Sequence, residues 1–252
     1  MATRLSVVLI CRNEAENIGA CLESVNWADE IVVLDSGSSD DTLAVCRRYT
    51  SNVSVSPDWP GFGPQKNRAL DLAHGEWVLS LDADERVTPE LRAEIERALA
   101  APQADAYELP RLSTYLGQEM RHSGWWPDHV TRLFRRGKAR FSEALVHESL
   151  QVQGTVGRLN TPLLHHPFKT LEQSIDKMNS YSSANATTLQ QRGRDAGLAT
   201  AVFHGLFAFI RVYFLRAGFL DGKLGFVLAV ANAEGAYYKY LKLAARNGRL
   251  AR

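Results

Sequence analysis

The sequence predicts an α/β fold, a mainly parallel sheet covered by helices, with a helical extension at the C-terminus. Three observations predict it. Short β-branched runs alternate with segments of helical period through the first hundred residues. Acidic residues and small turn-formers follow those runs, where open parallel sheets bind ligands. From Gly197 onward the chain turns apolar, aromatic and basic.

The elements follow in order. Leu5–Ile10 is an apolar strand, and residues 13–25 place Ile18, Cys21, Leu22 and Val25 at helical spacing. Ile31–Leu34 is a second strand, stopped by Asp35-Ser-Gly-Ser-Ser-Asp40, and a helix follows through Tyr49 with Ser39 as its expected cap. Val53–Ser56 reads as a third strand and Pro64–Ala73 as a helix. Glu76–Leu81 is a fourth strand ending in Asp82-Ala-Asp84, and Thr88-Pro89 opens a helix with a cap followed by proline. Strands at Ala106–Leu112, Val130–Phe134, Val146–Val152 and Pro162–His165 come next, then a polar helix over Leu171–Gln191. We expect one α/β domain of catalytic type over 1–195, with a first half to 100 and a second over 101–170, and an amphipathic basic extension over 196–252.

Among 252 residues, 45% are apolar and 23% charged, which excludes a disordered chain. The net charge is +1, so nothing points to nucleic acid. The charge is uneven, however: residues 201–252 hold eight Lys/Arg against Asp221 and Glu234, and the preceding 200 are net acidic. Cys11, Cys21 and Cys46 show no CxxC spacing and read as buried thiols of a reducing cytosol. No signal peptide is evident, and the expected location is cytoplasmic. Only 15 uncharged residues separate Asp195 from Arg211 and ten fill Leu224–Ala233, against the ~20 a membrane span needs. Aromatic residues next to Arg211, Arg216 and Lys223 suit a helix lying in the lipid interface. The alternative is that this segment caps the sheet or forms a dimer contact.

Asp82-Ala-Asp84, at the end of an apolar strand, is a hard-oxygen site suited to Mg²⁺ or Mn²⁺ under substrate phosphates. Neither GxGxxG nor GxxxxGK[ST] occurs, so no dinucleotide fingerprint or P-loop is supported. Trp125-Trp126-Pro127-Asp128, with Arg132, stands in a loop-like stretch. Its tryptophans either stack on a sugar ring or pack together.

Four segments stand in one order: Ser6-Val-Val-Leu-Ile-Cys-Arg-Asn-Glu14, Ile31-Val-Val-Leu-Asp-Ser-Gly-Ser-Ser-Asp-Asp-Thr42, Gln65-Lys-Asn-Arg-Ala-Leu70 and Leu81-Asp-Ala-Asp-Glu85. In these the sequence resembles the family 2 glycosyltransferases, inverting enzymes of the Rossmann-like GT-A fold that use nucleotide sugars. The resemblance implies that Asn13, Glu14 and Asp35 serve the nucleobase end of a UDP-sugar and that Asp82 lies near the ribose. Lys66, Asn67 and Arg68 would lie close to the donor, and Asp84 would ligate the metal. Asp82, His166 and His147 are further metal candidates.

Inverting transfer needs a base for the acceptor hydroxyl. The family commonly uses the Asp of an acidic pair; here the matching stretch reads Val-His-Glu, which puts Glu148 first, with His147 and Glu143 as alternatives. Trp125, Trp126, Asp128 and Arg132 are candidate acceptor contacts. Pro162-Leu-Leu-His-His-Pro-Phe-Lys169, Lys177-Met-Asn-Ser-Tyr181 and the stretch from Arg211 to Gly225 look like the lipopolysaccharide core β-1,4-glucosyltransferases of Gram-negative bacteria. That likeness implies glucose transfer from UDP-glucose to inner-core heptose on a lipid anchor, by an enzyme peripheral to the inner face of the inner membrane. Another glycan or a peptide acceptor is the alternative. A nucleotidyltransferase or a non-catalytic membrane scaffold is more remote, since Arg12-Asn-Glu-Ala-Glu16 offers an acidic turn where a triphosphate would need a basic, Gly-rich one.

Overall fold

A computed structural model describes residues 4–142 and 149–250. The chain runs β1 (Leu5–Cys11), α1 (Ala15–Ser24), β2 (Glu30–Asp35), α2 (Thr42–Cys46), β3 (Val53–Val55), α3 (Phe62–Asp71) and β4 (Trp77–Leu81). Then come β5 (Glu85–Arg86), α4 (Pro89–Ala100), β6 (Ala106–Tyr115), β7 (Gln118–Glu119) and β8 (Asp128–Arg135). Short strands β9 (Ala139–Phe141), β10 (Leu150–Val152), β11 (Val156–Arg158) and β12 (Leu163–His165) precede α5 (Leu171–Gln191). The chain ends in α6 (Leu198–Ile210), a π-helical turn over Arg211–Leu215, a 3₁₀ turn over Gly218–Asp221 and α7 (Gly222–Arg246). Two compact units result: one contains the chain up to Arg111 and Asp128–His165, the other Leu112–Pro127 and His166–Arg252. The boundary lies at His165/His166 rather than near residue 195, because α5 packs along α7.

In the first unit the main sheet path is β3-β2-β1-β4-β8-β6. β3, β2, β1 and β4 are parallel, and β8 joins antiparallel to β4 and β6. Both faces are covered. Val7, Leu9, Val33 and Leu79 pack with Ile18, Leu22, Leu91 and Ile95 of α1 and α4. Val8, Val32, Leu34 and Val78 pack with Ala69 and Leu70 of α3. A strand buried on both sides has no polar face to show, which is why β1, β2 and β4 read as near-continuous apolar runs, broken only by the buried serines Ser6 and Ser80 inside them.

Thr88 caps α4 as expected, its hydroxyl accepting from Leu91 N at 3.2 Å with Pro89 at the first position. α2 is shorter than expected. Ser39 does not cap it, because its hydroxyl turns to Asn13 Oδ1 at 3.3 Å, while Asp40 Oδ1 accepts from Thr42 N at 3.0 Å. Beyond Cys46 the chain tightens into turns, Tyr49 N donating to Cys46 O, and the helix stops. The expected strand from Val146 falls partly outside the described residues; its described end is β10, antiparallel to β9. All three cysteines are free and buried.

The second unit is built on α7. Gly205 of α6 lets the two helices approach closely: a Cβ there would sit 3.1 Å from Tyr237 Cβ and 3.2 Å from Ala233 O. Buried Asp221 gathers the loop after β7, accepting from Arg121 N and His122 N at 3.2 Å and from the Ser123 hydroxyl at 2.7 Å. Tyr115, Met120 and Leu228 make its small core. One expectation is corrected here. The helix continues through Arg211, because the π turn bridges it, so Leu198–Leu215 forms 18 residues long and apolar enough to cross a membrane, with 22% of that stretch buried.

Candidate active site

Register brings the site together. Cys11 pairs with Asp35 and Leu9 with Leu81, so the turns after β1, β2 and β4 emerge at one edge of the sheet. Asn13 has left-handed φ (56°) and stitches the first turn to the second, donating from N to Ser38 Oγ (2.8 Å) and accepting from Ser39 N. Half-buried Glu14 accepts from Asn17 Nδ2 at 2.9 Å, while its amide donates to Thr42 Oγ1. Asp35 is fully buried. Its Oδ1 accepts from Gly37 N (2.9 Å) and Ser38 N (2.8 Å), and its Oδ2 from the Ser38 hydroxyl and the Cys11 thiol. Its carboxylate therefore shapes the turn that presents Ser38 and Ser39.

The turn after β4 carries the densest charge. Lys66 Nζ lies 3.0 Å from Asp82 Oδ1, and Arg132 of β8 lies 2.5 Å from Asp82 Oδ2 and 2.6 Å from Glu85 Oε1. Arg111 is 3.6 Å from the same Glu85 oxygen. Glu85, fully buried, also accepts from Asp82 N at 3.0 Å. Desolvation acts to raise the Asp82 carboxyl, but Arg132 and Lys66 outweigh it and hold it well below the usual carboxylate range. At Glu85 burial wins over Arg132, and the carboxyl is pushed up. Arg132 loses by desolvation and gains more from Asp82 and Glu85, so it stays protonated.

Asp84 lies beside His165. Its Oδ2 is 3.4 Å from His165 Nε2, and both side chains keep some exposure. His166, the imidazole expected nearer the metal, is instead 3.0 Å from Thr114 Oγ1 and belongs to the second unit. Among the described residues no three His, Cys, Asp or Glu converge as a metal cage. A carboxylate with one imidazole is a donor set that Mn²⁺ or Mg²⁺ accepts when phosphates and water fill the other positions. The residues present fit such an ion.

The sequence profile of glycosyl transferase family 2 matches residues 6–156, which takes in the turns after β1, β2 and β4, Lys66, Arg111 and Arg132, and ends before His165. The chain belongs to glycosyl transferase family 2. It is 32% identical to the lipopolysaccharide core biosynthesis glycosyltransferase LpsC of Rhizobium meliloti, over 98% of this chain and 94% of that protein. It is 29% identical to the glycosyltransferase RP128 of Rickettsia prowazekii, over 95% of this chain and 86% of that one. The crystal structure of TarS from S. aureus superposes with a TM-score of 0.50 at 16% identity, covering 95% of this chain and 55% of that one, a likeness of fold. The fold is GT-A.

Of Lys66, Asn67 and Arg68, expected near the donor of this glycosyltransferase, the structure brings Lys66 to the Asp82 carboxylate. Asn67 grips the backbone of β9, donating to Phe141 O and accepting from Phe141 N, both at 2.9 Å. Arg68 forms an outer pair with Asp58 at 2.8 Å. The acceptor candidates also separate. Arg132 lies under Asp82 and Glu85, 7% exposed, and Asp128 accepts from Arg111 Nη2 at 2.6 Å. Trp125 and Trp126 belong to the second unit; Trp125 packs edge-on to Tyr115, and the Arg121 guanidinium lies over the Trp126 ring. Glu143, His147 and Glu148 lie outside the described residues. On either side of them, Ser142 N donates to Ser149 O at 2.9 Å. The sequence assigns no role to Glu85 or Arg111, while the His165-His166 pair offers either imidazole for metal or diphosphate binding, and the structure brings His165 to Asp84. Glu85 was visible as a third acid directly behind the Asp82-Ala-Asp84 turn, but its burial was not.

Proposed function

We propose that this glycosyltransferase moves a hexose, glucose from UDP-glucose, with inversion onto a lipid-linked saccharide, the inner-core heptose of lipopolysaccharide. The observation that carries the donor half is the division of labour between the two aspartates after β4. Asp82, ion-paired on both oxygens, is a fixed acceptor for ribose hydroxyls, whereas Asp84 Oδ2 lies 3.4 Å from His165 Nε2, a carboxylate and an imidazole that together suit a divalent cation. Such a cation would offset the charge of the departing diphosphate. Glu14 and the turn held by Asp35 receive the nucleobase, and Lys66 sets Asp82 in place from below. Glu148 takes the acceptor proton, with His147 and Glu143 as the alternatives.

The acceptor half draws on the relative named for lipopolysaccharide core biosynthesis and on the second unit's surface. Phe203, Leu206, Phe207, Phe214 and Leu215 are all exposed, next to Arg211 and Arg216. An aromatic, basic face of that size suits an anionic bilayer surface. It lies on the membrane rather than across it: α6 is packed along α7 at Gly205, and spanning would draw Glu234, Lys239 and Lys242 into hydrocarbon. On this reading the enzyme works peripherally at the cytoplasmic face of the inner membrane.

Asp84→Asn tests the donor half. The variant should lose transfer, and its UDP-glucose affinity should no longer tighten when Mn²⁺ is added in calorimetry. EDTA should have the same effect on the native enzyme, reversibly. Full activity in metal-free buffer would overturn the assignment.

A further inference from the structure

We propose that the groove between α5 and α7 binds an acidic sugar unit of the acceptor, a ring bearing a carboxylate or a phosphate. The proposal rests on the reading of the enzyme as a transferase for a lipid-linked saccharide and adds what that saccharide must carry. The groove lies wholly within the second unit and encloses about 340 Å³. That volume is at the lower end of the ~300–1,000 Å³ typical of small-ligand sites.

One wall is aromatic and braced. Trp125 and Phe168 face the groove with ring centroids 6.5 Å apart, and Tyr115 packs edge-on against each, at 5.8 and 5.9 Å. Tyr115 is itself buried and hydrogen-bonded to Ser174 at 3.1 Å. The wall is therefore held open by its own packing rather than by a ligand. An aromatic face of this kind takes the C–H face of a sugar ring. Ser174, Ser182, Asn185 and Asn232 are among the other lining residues, beside Met178, Tyr181 and Leu228, and suit ring hydroxyls.

The charge is decisive. Lys177 of α5 and Lys239 of α7 line the groove, and no acidic residue does. Lys177 Nζ lies 5.0 Å from the Phe168 centroid and Lys239 Nζ 4.5 Å from that of Tyr240. Among the described residues, neither lysine has a carboxylate within ion-pair distance. Lys242, one turn along α7 from Lys239, provides the contrast. Its Nζ is used up inside the protein, donating to Asn179 O and Oδ1, Ser182 Oγ and Ser183 Oγ within 3.0 Å. A structural lysine in this helix pair finds polar partners; the two in the groove have rings beside them and no counter-charge. Two such cations beside an aromatic wall match a sugar that carries its own anion.

The test uses the full chain with 5-fluorotryptophan in place of its five tryptophans, read by fluorine NMR, with Trp125→Phe identifying the Trp125 signal. Glucuronate and glucose 6-phosphate should both shift that signal, with affinities at least tenfold above those of glucose, inorganic phosphate and glycerol 3-phosphate. Lys177→Met/Lys239→Met should bring the anionic sugars down to the level of glucose, and Lys177→Arg/Lys239→Arg should restore at least half of the lost affinity. Inorganic phosphate matching glucose 6-phosphate would mean an adventitious ion only. Glycerol 3-phosphate matching it would mean a lipid headgroup site. Either result overturns the proposal, as does unchanged binding in the double methionine variant. UDP-glucose binding, measured on the same preparation, reports the donor reading separately; its absence would refute that reading and leave the sugar titration standing.

Discussion

Arg132→Met removes the cation shared by Asp82 and Glu85 while keeping side-chain length, so the expected loss is electrostatic rather than a cavity. Removing one partner from a buried ion pair costs about 3–5 kcal/mol. Two neighbours reduce that here: Lys66 stays 3.0 Å from Asp82, and Arg111 is 3.6 Å from Glu85. We expect a loss of about 2–4 kcal/mol near pH 8. The pH dependence is the sharper signature. Burial already raises Glu85 above its unfolded value despite the lowering by Arg132, so removing Arg132 raises it further. Between the unfolded glutamate pKa of ~4.3 and the raised folded one, the native state binds more protons than the unfolded state. Stability then falls as pH rises, by up to ~1.4 kcal/mol per unit. Urea melts at pH 5, 6, 7 and 8 should therefore show a deficit that is smallest at pH 5 and grows upward. A variant as stable as the native protein at pH 8, or a deficit independent of pH, would refute the charge network as drawn.

Two further outcomes follow from the proposed function. Glu148→Gln should keep UDP-glucose binding in calorimetry and lower turnover by ~10²–10⁴-fold, the effect of a lost general base; weakened donor binding with near-normal turnover would move the role to His147 or Glu143. Phe203→Ser/Phe207→Ser/Phe214→Ser should abolish flotation with anionic vesicles at low salt without changing UDP binding, since all three rings are exposed and support no core. High salt should release the native protein only in part, because the rings as well as the ~1 kcal/mol per basic residue hold it to the surface.

The parallel half of the sheet was legible because burial on both faces writes a period-free apolar run followed at once by its ligand-side turn. β1, β2 and β4 each end within a residue or so of where the runs end. Lengths of helices were less legible where polar side chains compete for the backbone. The Asp35–Thr42 turn is an example: Asp40 captures the Thr42 amide that a Ser39 cap would have used, and Asn13 Oδ1 takes the Ser39 hydroxyl. The long helical stretch through Arg211 was missed for a related reason. A count of uncharged residues stops at the first arginine, whereas a helix continues through it and leaves the charge at its surface.

The site was legible in its acids and not in its cations. Asp82 and Asp84 are two residues apart and sit on a predictable strand end, so the chain itself announces them. Arg132 reaches Asp82 across 50 residues and Lys66 across 16, and only the pairing of β8 with β4 and the packing of α3 bring them together. That asymmetry has a chemical consequence. If both aspartates were unpaired, a cation would bridge them and the sequence motif alone would define the metal site. With Lys66 and Arg132 on Asp82, a second cation beside it meets two positive charges within one carboxylate's width, which like-charge repulsion disfavours. On the proposed function the ion therefore goes to Asp84 and His165, which face each other at 3.4 Å. The motif's two-residue spacing then separates the proposed roles: one carboxylate ion-paired and set for hydroxyls, the next placed at the metal.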